Sequence, residues 1–156
     1  MPKVFNLHGD REWDRSEERP GWRSKDAWVG RRIGGELIGG SMYELEPGNR
    51  LWPYHTHHAN EEWLLVVRGR PTLRTPDGET DLEEGDVVAF PRGDRGFHQV
   101  INQTDAPIRV LMLSTMIMPE LLEYPDSGKV GANSAHGESL FMGRLGETLD
   151  YWEGED

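Results

Sequence analysis

Trp63-Leu64-Leu65-Val66-Val67 runs without a polar residue between Glu62 and Arg68 and stops before Gly69. The run is too short for a typical helix and rich in aromatic and β-branched residues. It reads as a strand buried on both faces. Ser41–Leu45 reads as an earlier strand, with Pro47-Gly48 as the turn behind it. Pro71–Thr75 and Thr80–Glu83 read as a hairpin around Pro76-Asp77-Gly78, since Asp-Gly is a hairpin turn signal. Val87–Phe90 follows the Glu84-Gly85-Asp86 turn and ends at Pro91; His98–Asn102 and Ile108–Ser114 complete the series. Turns recur about every ten residues, the cadence of an all-β sandwich or barrel. No long helical period competes with this reading. No internal repeat is visible, so one barrel is expected.

Two flanks surround that barrel. The pattern divides the chain into an N-terminal arm (1–32), a β-barrel (33–118) and a C-terminal extension (119–156) packing on the barrel, one domain overall. The arm is charged yet carries Trp13, Trp22 and Trp28. Tryptophan usually docks onto something. Either the arm is a lid on its own barrel or it packs on a second subunit. A homodimer is expected, because the arm exceeds what a minimal barrel needs and edge strands need cover.

Composition narrows the function classes. The 156 residues include 17 basic and 28 acidic ones, a net charge of −11, with no basic stripe. Such a surface repels phosphate backbones, so nucleic acid is not expected as a partner. The absence of cysteine removes disulfides and thiolate ligands. Neither a signal peptide nor a membrane span of ~20 apolar residues is visible, so a cytoplasmic location is expected.

The chemistry concentrates at His55-Thr56-His57-His58-Ala59-Asn60-Glu61-Glu62, where three of the six histidines fall. Side chains at i and i+2 of a strand leave the same face, so His55 and His57 can converge while His58 points away. A reversal through 58–61, closing a hairpin, would return Glu62 beside them. Glu61 competes for that role, since it faces the other side of the same strand. His98 is the candidate fourth ligand from far along the chain. Imidazole and carboxylate together suit first-row transition metals.

These residues resemble the two sequence motifs of the cupin superfamily. The first resembles G-x5-H-x-H-x3,4-E-x6-G: Gly48, six residues, His55-x-His57, four residues, Glu62, six residues, Gly69. The second resembles G-x5-P-x-G-x2-H-x3-N: Gly85, five residues, Pro91-Arg92-Gly93, four residues, His98, three residues, Asn102. Each carries a small insertion. The resemblance implies a double-stranded β-helix, the jelly-roll cupin barrel, in a small single-domain form with N- and C-terminal extensions. It implies His55, His57, Glu62 and His98 as ligands of one divalent transition metal on the inner wall: Fe, Mn, Ni, Co or Zn. Family spacing favours Glu62 over Glu61. Relatives of this kind include dioxygenases, sugar and amide-type hydrolases or isomerases, decarboxylases and plain binding proteins. The expectation is a metal-dependent enzyme, oxygenase ahead of isomerase, acting on a small polar or aromatic molecule. The alternative is a non-catalytic metal or small-ligand binding protein. No catalytic acid or base is evident.

Lesser candidates remain. Tyr54, Asn60 and Gln99 could line a pocket or sit in turns; Trp52 and Phe97 could wall it or pack in the barrel. His8 and His136 stand alone and read as surface residues. Tyr124-Pro125-Asp126-Ser127-Gly128-Lys129 and Tyr151-Trp152-Glu153-Gly154-Glu155 are similar to segments of small single-domain cupins. Ser127 and Lys129 read as an anion contact or as an ordered surface turn. The turn is favoured, because a phosphate loop's G-x4-G-K-[ST] spacing is absent.

Overall fold

The computed structural model describes residues 1–10, 12–146 and 148–155. Thirteen strands run in order: β1 (Arg15–Glu17), β2 (Ser24–Ala27), β3 (Gly39–Leu45), β4 (Arg50–His57), β5 (Glu62–Arg68), β6 (Thr72–Thr75), β7 (Gly78–Asp81), β8 (Val87–Phe90), β9 (His98–Ile101), β10 (Ile108–Ser114), β11 (Glu120–Tyr124), β12 (Lys129–Asn133) and β13 (Ser139–Arg144). One short helix, α1 (Val29–Ile33), follows β2. The strands form two antiparallel sheets, ordered β1-β2-β3-β10-β5-β8 and β13-β12-β11-β4-β9-β6-β7. The fold is the jelly-roll barrel that the turn cadence and the motifs imply.

The core lies between the sheets because both contribute their inward alternation. Leu45, Leu64, Val66 and Val110 come from one wall, and Leu51, Leu73 and Val100 from the other; all are buried in one cluster. Fully burying each such side chain is worth about 1.5–3 kcal/mol. The opposite face of the six-stranded sheet carries a second cluster of Met42, Val67 and Leu111, covered by Val29 of α1 and by Phe5, Leu7 and Trp13 of the arm. This explains why the 63–67 run lacks polar alternation. Leu64 and Val66 fill the barrel while Val67 packs under the arm; Trp63, 47% exposed, departs from the expected two-sided burial. Gly69 closes the first motif at φ +85, where a Cβ would meet Ile108 Cγ2 at 2.8 Å, so a side chain is excluded sterically as well as conformationally.

One connection differs from the sequence reading. Residues 58–61 do not close a hairpin. β4 pairs with β9 and β11, whereas β5 pairs with β10 and β8 in the other sheet. The segment turns a corner of the barrel, so Glu62 reaches the histidines from the facing wall. After residue 118 the chain adds β11, β12 and β13 to the seven-stranded sheet, with Leu122 opposite His57.

The arm joins its own barrel over much of its length. β2 pairs with β3, and β1 with β2. Exposed large apolar side chains are numerous on β13 and beyond, at Leu140, Phe141, Met142, Leu149, Tyr151 and Trp152, and others stand at Met1, Val4, Leu37 and Ile38. Among the described residues, no helix is long and apolar enough to cross a membrane.

Candidate metal centre

β4 brings its two histidines to the inner wall through an irregularity. Its register with β9 shifts between Leu51 and His55, and resumes with His55 opposite His98. Trp52, at φ +56, occupies the left-handed region within that bulge. Such a conformation costs on the order of 1–3 kcal/mol and persists only where surrounding structure holds it. Gln99 helps, donating from Nε2 to the Trp52 carbonyl at 2.7 Å. Bulges next to functional sites commonly re-aim side chains.

His98 follows a 3-10 turn, Gly93–Gly96, which absorbs the two extra residues of the second motif. A Cβ on Gly96 would fall on the Pro91 carbonyl oxygen, so the turn requires glycine there. The Gly96 carbonyl accepts from His98 Nδ1 at 2.8 Å. His55 Nδ1 donates in the same way to the Pro53 carbonyl at 2.7 Å. His57 Nδ1 donates to Glu120 Oε2 at 3.0 Å. His55 and His98 therefore carry their proton on Nδ1 and leave an Nε2 lone pair for the centre. Metal-ligating histidines adopt this tautomer for the same reason. His57, by contrast, is charged at neutral pH, donating from Nδ1 to Glu120 and from Nε2 to Glu62, and frees its Nε2 lone pair only when that second proton is lost.

Glu62 supplies the carboxylate. Its Oε2 lies 3.2 Å from His57 Nε2 and 3.4 Å from His98 Nε2. Ligand atoms of His55, Glu62 and His98 lie within 4.8 Å of one another, a buried group able to hold a metal ion. Two aromatic rings support the histidines: Phe90 stacks on His98 at 3.8 Å and Tyr124 on His55 at 5.9 Å. A cavity of about 250 Å³ opens above the four groups, walled by Tyr43, Trp52, Pro53, Met112, Leu122 and Tyr124.

The electrostatics differ from ring to ring. Burial, helped by the neighbouring His98 and His57, brings His55 down to about 4. Burial also lowers His98. Burial would lower His57 too, but the Glu120 and Glu62 carboxylates outweigh it and push that ring up to about 9. Burial opposes ionisation of Glu120, yet the bonds from His57, Asn60 and the Ala59 amide hold it at about 2. Glu62 is likewise lowered, because its bond and charge interaction with His57 outweigh burial.

Of the other candidates, Glu61 lies at the surface, its carboxylate accepting from Trp63 Nε1 at 2.8 Å. His58 turns outward to Glu123 at 3.3 Å. His8 and His136 are exposed. Asn60 is wholly engaged in bracing its loop, bonding Glu120, the Ile117 backbone and Thr115. Tyr54 stacks on Phe97 at 5.5 Å, on the other face of β4 from His55. The residue that sequence reasoning missed is Glu120. It is 4% exposed and accepts from His57, Asn60 and the amides of His58, Ala59 and Leu121. No local pattern marks it, because it stands 63 positions beyond His57.

A family model for the cupin domain matches residues 41–114, the stretch that holds all four candidate ligands. A solved structure from Silicibacter pomeroyi, a sugar phosphate isomerase from a cupin superfamily, is 30% identical over 82% of this chain and 81% of its own, with a TM-score of 0.74. This chain belongs to the cupin superfamily. A provisionally named sugar phosphate isomerase from Acidithiobacillus ferrooxidans shares the fold at a TM-score of 0.76, with 24% identity over 84% of this chain and 82% of that one. A cupin-like protein from Thermotoga maritima shares it at 0.57, with 20% identity over 70% and 84%. No curated protein matches the sequence.

The titrating groups of this cupin predict a stability maximum for the metal-free protein. His55, depressed from 6.5 to about 4, favours unfolding as pH falls through that window, because the unfolded chain takes the proton first. Glu120, depressed from 4.5 to about 2, adds a loss at lower pH. His57, raised from 6.5 to about 9, contributes stability that is complete below 6.5 and lost as pH rises towards 9. Thermal melts in chelator should peak near pH 6.5 and decline on both sides. A melting temperature that keeps rising from pH 6.5 to 9 would contradict the bridge of His57 between Glu62 and Glu120.

Proposed function

We propose that this cupin is a divalent-metal-dependent isomerase acting on small hydroxylated carbonyl compounds of the sugar type. One observation carries the reading: ligand atoms of His55, His98 and Glu62 gather at the base of a small cavity, with His57 Nε2 3.2 Å from the same carboxylate. His55, His57, Glu62 and His98 would hold the ion, and Fe, Mn, Ni, Co and Zn all tolerate this donor set. Bound there, a divalent cation supplies Lewis-acid polarisation of a substrate oxygen.

The chain's own residues do the rest. Burial raises the Tyr43 and Tyr124 phenols above their ordinary value, so both stay protonated at neutral pH and can donate to substrate oxygens. Glu62 Oε1 has no hydrogen-bond partner among the described residues and is the base available to carry a proton between adjacent carbons. The hydrophobic wall of Met112 and Leu122 limits water at that point. The Silicibacter pomeroyi relative favours isomerase over oxygenase.

The test is solvent exchange. Metal-free protein is reconstituted with each of the five ions and incubated with aldose and ketose substrates, phosphorylated and plain, in deuterated water. An isomerase interconverts the pair with deuterium incorporation and no oxygen uptake. Oxygen consumption with Fe(II) would replace this reading with an oxygenase. Full metal occupancy with neither activity would leave a binding protein.

A further inference from the structure

The Pro125-Asp126-Ser127-Gly128-Lys129 segment is not used by the metal centre, and its position gives it a role. Pro125–Ser127 forms a single 3-10 turn that leads into β12 at Lys129. Arg74 pins the turn to β6, donating to both Asp126 oxygens at 2.6 and 2.9 Å. The turn walls a cavity of about 690 Å³ on the other side of Trp52 and Pro53 from the metal pocket.

The polarity of this cavity is opposite to that of the molecule. The chain carries eleven more acids than bases, yet Arg19, Arg50, Arg74 and Lys129 face this space against Glu17, Glu79 and Asp126. Arg74 is committed to Asp126. Among the described residues, Arg19, Arg50 and Lys129 make no ion pair with a carboxylate, although acids are abundant. The other two acids are engaged as well: Glu17 accepts from the Arg19 amide at 2.9 Å and Glu79 from Gln103 Nε2 at 3.3 Å. Arg50 lies close enough to Asp126 to help Arg74, the larger influence, hold that carboxyl below its ordinary value. The cationic groups therefore gather around the turn.

Two further contacts define the ligand. Lys129 Nζ sits 5.5 Å from the centre of the Tyr124 ring, and Tyr124 lines the metal pocket against His55. Lys129 thus stands where the two cavities meet. Gln99, 4% exposed, faces the larger one. Its Nε2 is bound to Trp52, while its Oε1 has no partner among the described residues. A buried acceptor without a donor is costly to leave unsatisfied and suits a ligand hydroxyl. An anion alone would not satisfy it.

We propose that Arg50, Lys129 and Ser127 form the subsite for the phosphate of a phosphorylated polyhydroxy substrate, whose hydroxyls reach Gln99 and whose carbonyl end extends past Trp52 towards the metal pocket. The inference rests on the isomerase reading for the identity of that far end. A phosphate monoester carries about −1.5 to −2 charges and three strong acceptor oxygens. Those acceptors match two cations and the Ser127 hydroxyl, whose bond to the Tyr124 carbonyl is long, at 3.4 Å, and can be exchanged for a phosphate oxygen. A neutral sugar would leave the cations without a counter-charge.

Calorimetric titration of the metal-free, full-length protein tests the subsite. Ribose 5-phosphate and ribose serve as probes, at two salt concentrations. The wild type should bind the phosphorylated probe at least about tenfold more tightly, and less so at high salt. The double variant Arg50→Gln/Lys129→Gln should lose that preference. Arg68→Gln, in an ion pair with Glu44 away from the cavity, should keep it. Circular dichroism confirms folding, and Arg50→Lys should restore most of the preference. Equal binding of both probes by the wild type overturns the proposal, as does a preference that survives the double variant. The assay contains no metal and measures binding alone. A phosphate preference without turnover would count against the isomerase reading and leave the subsite standing.

Discussion

Replacing His98 or His57 by alanine is expected to abolish stoichiometric metal binding, from one ion per chain in the wild type. Each ring points its Nε2 at Glu62 Oε2, and each Nδ1 is already committed elsewhere. Alanine therefore removes a donor that no neighbouring atom can replace. Losing a directly bound imidazole should exceed the roughly 10–100-fold that loss of an outer hydrogen-bond partner costs in affinity. Elemental analysis after dialysis, with calorimetry for the residual affinity, gives the measurement. Glu61→Ala is the control and should keep full occupancy, because that carboxylate is occupied at the surface by Trp63. Full occupancy in both histidine variants would remove the assigned ligand set.

The second large effect is expected at Glu120. Glu120→Ala leaves the His57 ring, the Asn60 amide and three backbone amides without their acceptor. Breaking a buried charged interaction by removing one partner costs about 3–5 kcal/mol, which should appear as a lower denaturation midpoint in the metal-free protein. Metal affinity should also fall about 10–100-fold, because His57 loses the group that sets its tautomer and ring angle. Glu120→Gln retains one acceptor oxygen, so it should lose less stability but keep a clear affinity defect. A Glu120→Ala protein that binds metal as tightly as the wild type would show that β4 alone orients His57.

Much of this molecule is legible without coordinates because the relevant signals are local. The strands at Val87–Phe90 and Ile108–Ser114 fall where apolar runs meet turn residues. His55 and His57 share a face because side chains alternate along a strand. Gly69 marks a place where both backbone angle and space exclude a side chain. Glu62 could be preferred to Glu61 on spacing, and the structure places Glu62 beside the imidazoles and Glu61 at the surface.

The hairpin at 58–61 shows where local reasoning ends. A four-residue loop fits a hairpin and a barrel corner equally well. The choice depends on which strands β4 and β5 find as partners, and those partners come from as far away as β10 and β11. Glu120 was hidden for the same reason. A lone glutamate before an apolar pair carries no signal until β11 docks beside β4 and sets it under His57.

The sequence by itself determined that the chain would form one all-β barrel and singled out His55, His57, Glu62 and His98, of which His55, Glu62 and His98 form a group able to hold a metal ion. Alternation, turn residues and motif spacing act over a few positions and survive any rearrangement of the rest. Tertiary structure alone decided that Glu62 faces the histidines from the opposite wall, that each imidazole turns its Nε2 inward, and that Glu120 anchors His57. It also gathered unpaired cations around the 125–129 turn. These outcomes follow from strand pairing across the whole barrel, where burial of two apolar sheet faces fixes which distant residues meet and which polar groups must then satisfy one another.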